Sequence, residues 1–173
     1  MPKTVYWIQG GGCGGDTWSF LNAESPDLIE LIEMLPIEML WHPSLSALGP
    51  REIEKLNESI LEGRQILDIL CVEGSVIQGP SKTGLADTLL GKPKKDLIRA
   101  LAYKASYVIA VGTCASFGGF GADHEVESTG VQFHKYGSGG FLGRNFRSRS
   151  GLPVINLPGC PCHCDVLTGT LSA

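Results

Sequence analysis

Five short apolar runs, alternating with stretches of helical spacing, constrain the fold more than any other feature of this sequence. "TVYWIQ" (4–9), "IEMLWH" (37–42), "QILDILCVEG" (65–74), "YVIAVG" (107–112) and "LPVINLPG" (152–159) each read as a strand. The second is stopped by Pro43, and the third is apolar on both faces. Between them, residues 17–35 carry Leu28, Ile29, Leu31, Ile32 and Leu35 at helical spacing, with Ser25-Pro26-Asp27 as a start signal. Residues 50–62 form a predicted helix with Pro50 near its start and Gly63 at its end. Residues 92–105 form another, opened by Pro93, and a last helix begins near Asp165. Strands alternating with helices predict a parallel sheet covered on both faces. The expected fold class is therefore α/β, a flavodoxin-like doubly wound parallel sheet in one domain spanning 1–173. In such sheets ligands bind beyond the carboxyl ends of the strands.

That rule gives the cysteines their meaning. Cys13 follows the first strand, Cys114 the fourth and Cys160 the fifth, each expected in a loop with glycine close by: "GGGCGGD", "GTCASFGG" and "PGCPCH". Three cysteines far apart in the chain would meet at one edge of the sheet. Iron–sulfur clusters are held by thiolates and tuned by hydrogen bonds to sulfur, and glycines let backbone N–H groups approach. Three thiolates leave a four-iron cluster one ligand short. Asp16, three residues after Cys13, is the candidate fourth ligand; the alternative is a helix N-cap opening "DTWSFL". Cys71 lies inside a strand run and is expected in the core. The single histidines His42, His134 and His163 are expected in structural or hydrogen-bonding roles.

The remaining features narrow the class. A formal net charge of -4, from 14 basic and 18 acidic residues, argues against a nucleic-acid binder. No apolar run reaches bilayer-spanning length and no charged-then-apolar leader opens the chain, so a cytoplasmic protein, membrane-associated at most through partners, is expected. Six cysteines without a CxxC pair weaken a zinc-ribbon reading. No usable GxGxxG context supports a nucleotide site. Residues 113–151 are long for a connection. They hold six aromatics (Phe117, Phe120, Phe133, Tyr136, Phe141, Phe146) and three arginines (Arg144, Arg147, Arg149). This insertion is expected to be a folded cap or a partner-binding surface. The helical pattern after Asp165 runs into the end of the sequence, which predicts a piece of a longer chain or a short subunit.

With these motifs in order, the chain resembles the small, electron-transferring subunits of nickel–iron hydrogenases. The likeness rests on Cys13-Gly14-Gly15-Asp16-Thr17-Trp18-Ser19-Phe20-Leu21, on Gly112-Thr113-Cys114-Ala115 with following glycines, and on Pro158-Gly159-Cys160-Pro161. "VEGSV" (72–76), "LWHPSL", "STGVQFHK" and "GGFLG" extend it over nearly the whole chain and look most like the uptake or high-affinity branch. The resemblance implies that Cys13, Cys114 and Cys160 ligate the proximal cluster, 4Fe-4S or alternatively 3Fe-4S. Asp16 stands where the family usually has its fourth cysteine, and some branches use a carboxylate there. The nickel–iron centre would belong to a large subunit, because the paired CxxC motifs that bind it are missing. The electron acceptor is unidentified. Glu73 would lie near the large-subunit interface as a proton relay, or else be a solvated carboxylate at the strand end. Cys162 and Cys164 depart from the family's Pro-Pro-His-Pro run; they are spare thiols, a redox safeguard, alternative ligands or buried small residues. Rival readings are a related quinone-reductase iron–sulfur subunit, whose adjacent cysteines are absent from "CGGD", a non-enzymatic metal or redox sensor built on "CPCHC", and a flavodoxin-like nucleotide binder.

Overall fold

The computed structural model describes residues 2–172. Its centre is a five-stranded parallel sheet made of β1 (Lys3–Gln9), β2 (Ile37–Trp41), β3 (Ile69–Glu73), β4 (Tyr107–Val111) and β5 (Ile155–Leu157). The strand order is β5-β4-β3-β1-β2, with Tyr6 opposite Leu70 and both Cys71 and Ile155 opposite Ile109. This is the doubly wound arrangement that the alternation predicts.

Residues of alternate parity along each strand feed two separate cores. Tyr6, Ile8, Leu70, Val72, Val108 and Ala110 pack on one face. There they meet helices α3 (Pro50–Leu61) and α4 (Lys94–Lys104) through Ile53, Ile60, Ile98 and Leu101. Val5, Trp7, Ile69, Cys71, Ile109, Val111 and Leu157 face the other way. They pack on α1 (Gly15–Leu21), α2 (Leu28–Met34) and α6 (Cys164–Ser172) through Phe20, Leu31, Leu167 and Leu171. Cys71 is thus a core residue, as its place in the run implies. Burial on both faces explains why β1, β3 and β4 read as continuous apolar runs rather than as alternation.

The helix expected over 17–35 is two helices. Asn22 ends α1, its N–H turning back to Trp18 and Ser19. Asp27 then starts α2, its carboxylate accepting the N–H groups of Ile29 and Glu30 while Glu30 accepts that of Asp27. The Ser-Pro-Asp signal marks the second start, inside the periodic stretch. In the same way Glu52 accepts the Gly49 N–H ahead of Pro50 to open α3. Strands β3 and β5 are shorter than their apolar runs, ending at Glu73 and Leu157.

Residues 113–151 carry local structure of their own. They begin within α5 (Gly112–Phe117), continue through a 3-10 turn at Gly119–Asp123, and include short antiparallel pairings. Ser128–Thr129 pairs with Val76–Ile77, which ties this segment to the chain just beyond β3. Phe141 and Phe146 are buried in the α3/α4 core, whereas Phe120 and Tyr136 stand fully in solvent.

Candidate iron–sulfur site

At the carboxyl rim of the sheet the exits of β1, β3, β4 and β5 are laced together. Gly11 and Ser75 exchange backbone hydrogen bonds of 2.8 Å, joining the β1 and β3 exits. Thr113 N–H donates to the Gly159 carbonyl (2.7 Å), and Gly159 N–H returns to Thr113 Oγ1 (3.1 Å), joining the β4 and β5 exits. Cys162 N–H donates to Asp16 Oδ1 (2.7 Å), which closes the ring from the β5 exit back to α1. Gly74, at φ +78°, lets the β3 exit come so close to Gly10 and Gly11 that a Cβ there would lie 3.0 Å from their backbone.

The lacing encloses a cavity of about 120 Å³ whose walls include Cys13, Asp16, Glu73, Cys114 and Cys160. The three cysteines and the aspartate singled out from sequence therefore share one small space. One detail differs from expectation. Cys114 stands in the first turn of α5, not in a loop, because Gly112 starts that helix directly from β4. Cys162, Cys164, His42, His134 and His163 are not on the cavity wall.

Asp16 is not the cap of α1. That position is Gly14, which makes no side-chain cap bond. Asp16 lies in the first turn, where a carboxylate is favoured by the helix dipole, and it turns toward the cavity. Burial pushes its pKa up, the Cys162 N–H pulls it down, and the charge of Glu73 pushes it up again. Its carboxylate occupies the space above Gly112: a Cβ built there would sit 2.1 Å from Asp16 Oδ2, on a backbone at φ +81°. Glycine at 112 is therefore needed both for the turn and for the room it leaves. The Cys114 thiol is pushed up by burial first, then by Cys160, Asp16 and Cys13. Thiols and carboxyls crowded in this way resist ionising together, and a multiply charged cationic group between them relieves the repulsion. The donor set, the shared cavity and the glycine-made space fit an iron–sulfur group.

Sequence reading missed the burial of Glu73. Its residue is 1% exposed, not a solvated strand end. Oε1 accepts the Thr17 N–H (2.9 Å), and Oε2 accepts Trp7 Nε1–H (2.9 Å) and the Thr17 hydroxyl. The signal was present in part, since an acidic residue ends a run otherwise apolar on both faces. What could not be read was the set of three donors that Trp7 and Thr17 bring from β1 and α1. His42 is also fully buried, its ring 5.0 Å from that of Trp7 and its Nδ1 accepting Ser44 N–H.

Comparisons with known proteins agree with this arrangement. The family model described as NADH ubiquinone oxidoreductase, 20 Kd subunit, matches residues 13–173. The chain is 33% identical to the F420 non-reducing hydrogenase I small subunit of Methanosarcina mazei, over 98% of this chain and 47% of that protein. It is 33% identical to the periplasmic NiFeSe hydrogenase small subunit of Desulfomicrobium baculatum, over 98% of this chain and 53% of that one. Among solved structures, the actinobacterial-type NiFe-hydrogenase from Ralstonia eutropha H16 superposes with a TM-score of 0.81 at 26% identity, over 99% of this chain and 52% of that chain. The NiFeSe hydrogenase from Desulfovibrio vulgaris Hildenborough gives 0.78 at 30% identity, over 99% and 59%. The chain spans about half the length of the curated relatives it matches. These relatives bear out the resemblance to hydrogenase small subunits, and kinship with them implies an iron–sulfur cluster. The chain belongs to the NADH ubiquinone oxidoreductase 20 Kd subunit family, and the relatives it resembles are small subunits of hydrogenases.

Proposed function

We propose that this chain is the electron-transferring part of a nickel–iron hydrogenase, holding the proximal iron–sulfur cluster on Cys13, Asp16, Cys114 and Cys160. Its partner is a large subunit that carries the nickel–iron centre and interconverts H₂ with protons and electrons. The observation that carries this reading is that three cysteines and one aspartate, from three separated segments, line one cavity at the carboxyl rim. A bound cluster, 4Fe-4S in this reading, supplies one-electron storage. The residues of this chain fix the donors in place. The bonds through Thr113 and Gly159 hold the first turn of α5, with Cys114, to the loop that carries Cys160. The Cys162 N–H holds one oxygen of Asp16, and Glu73 holds the start of α1 through Thr17.

Mössbauer spectra of the anaerobic protein and of Asp16→Cys test the ligand set. A changed environment at one iron is expected, and identical spectra would remove Asp16 as a ligand. A proton relay at Glu73 belongs to the same reading and has support in the Thr17 hydroxyl on its carboxylate. H–D exchange and turnover unchanged in Glu73→Gln would take it off the path. We also place the chain in the cytoplasm, a reading supported by its six unpaired cysteines. None of the described helices is long and apolar enough to cross a membrane. The family description favours a quinone-reductase subunit as second reading. Anaerobic co-purification with a nickel-containing chain separates the two.

A further inference from the structure

Beyond the cluster cavity, one other group of metal-binding side chains comes together among the described residues. It lies where the Cys160 loop enters α6. His163 Nδ1, Cys164 Sγ and an Asp165 carboxylate oxygen lie within 4.8 Å of one another. Sγ to Nδ1 is 3.9 Å, Sγ to Oδ1 is 3.6 Å, and Nδ1 to Oδ2 is 3.7 Å. With Zn–S near 2.3 Å and Zn–N and Zn–O near 2.1 Å, the edges of a tetrahedral face are about 3.4–3.6 Å. The Sγ–Nδ1 and Sγ–Oδ1 edges thus already stand within a few tenths of an ångström of such a face, and with all three donors within 4.8 Å of one another a turn of the exposed carboxylate completes it.

We propose that His163, Cys164 and Asp165 form a second metal site, separate from the cluster cavity, that takes one zinc-type divalent cation. A thiolate, a carboxylate and a neutral imidazole together carry two negative charges, which a divalent ion neutralises. The thiolate and imidazole select a borderline transition metal over magnesium or calcium. His163 and Asp165 keep 70% and 64% of their side chains exposed, so the ion enters from solvent and water completes its coordination. Two bonds must be given up. The first, from the Cys164 thiol to Asp165 Oδ1, ends when the thiol loses its proton to solvent as the ion enters. In the second, Asp165 N–H donates to His163 Nδ1 at 3.3 Å. That N–H belongs to the first turn of an exposed helix end, where water replaces the lost acceptor.

The two sites are divided by Cys162. Its residue is fully buried, its N–H is engaged by Asp16, and its thiol points to the His163 carbonyl at 3.6 Å. The cavity wall includes Cys160 and Pro161 but none of residues 162–165. An ion on the outer trio therefore clips the start of α6 to the segment that carries Cys160 without drawing on the cluster's donors.

The test uses the anaerobically purified protein with its iron in place. Zinc is added, excess is dialysed away, and zinc and iron per chain are measured for the wild type, Cys164→Ser and His163→Gln. Cobalt(II) in parallel reports tetrahedral ligand-field bands and sulfur-to-metal charge transfer. The expected result is one retained zinc per wild-type chain, lost in both variants, with sulfur-to-cobalt absorption lost in Cys164→Ser and iron equal in all three. No retained zinc, zinc unaffected by Cys164→Ser, or zinc gained only as iron is lost would each overturn the proposal. A wild type that retains zinc but never held iron would count against the electron-transfer reading and leave this site standing.

Discussion

Replacing Glu73 by glutamine is the sharpest probe of how the rim is held. The carboxylate is buried and accepts three donors: Thr17 N–H on one oxygen, Trp7 Nε1–H and the Thr17 hydroxyl on the other. Glutamine keeps the shape but has only one acceptor oxygen. If that oxygen faces Trp7, the amide NH₂ opposes the Thr17 N–H. In the flipped orientation the NH₂ opposes Trp7 Nε1–H, and only the Thr17 hydroxyl can rotate to accept. Either way one buried N–H is stranded, at a cost of about 1–3 kcal/mol. Charge-assisted bonds become neutral ones, which adds to the loss, while the smaller desolvation of an amide offsets part of it. We expect a net destabilisation of about 2 kcal/mol, read from urea unfolding under anaerobic conditions at constant m-value. Glu73→Ala, which strands all three donors, should cost more. Stability within about 0.5 kcal/mol of wild type for Glu73→Gln would refute the reasoning, because it would mean that the donors find other partners.

Three further outcomes follow from the packing around the rim and the core. His42 is held neutral in the fold, its pKa lowered by burial from 6.5 to about 4 against an opposing pull from Glu73. Its contribution of about 3 kcal/mol is present above pH 6.5 and is lost as pH falls toward 4, so the stability of His42→Gln should fall less steeply than that of wild type across this window in acid denaturation series. Gly112→Ala puts a methyl group into the space of the Asp16 carboxylate and strains a residue at φ +81°; it should cost about 1–2 kcal/mol for the backbone alone and reduce iron per chain, and full iron at wild-type stability would contradict the role given to that space. Cys71 is fully buried, and its thiol is pushed up to about 12 by that burial. A brief alkylation pulse on the iron-free native protein, read by mass spectrometry, should label exposed Cys13 and Cys160 and spare Cys71.

The sheet was legible because its three central strands are buried on both faces and its half-buried edge strands, β2 and β5, keep enough apolar residues for a run to mark each one. Helix starts were legible where a side chain or proline makes the cap, at Asp27 and Pro50. The division between α1 and α2 was hidden because apolar spacing continues across it, while the break is made by Asn22 and Asp27. The site was legible as a set of cysteines at strand ends, since parallel topology alone brings those ends to one rim. Its finer parts were not. The helical start at Gly112, the turn of Asp16 toward Cys162, and the burial of Glu73 and His42 each depend on a partner between 35 and 146 positions away, supplied by another element. Local pattern carries no information about such partners.

In the electron-transfer reading proposed above, the anchoring of these side chains on the rim has a further consequence. Cys13, Cys114 and Cys160 hang within a few residues of the ends of β1, β4 and β5, and the segments that carry them are laced together by short hydrogen bonds through Thr113, Gly159, Cys162 and Asp16. A frame so tied to two packed cores has little freedom to rearrange when a charge arrives or departs. Low reorganisation favours fast electron hops at small driving force, and here that property would come from the sheet itself, not from the chemistry of the individual ligands.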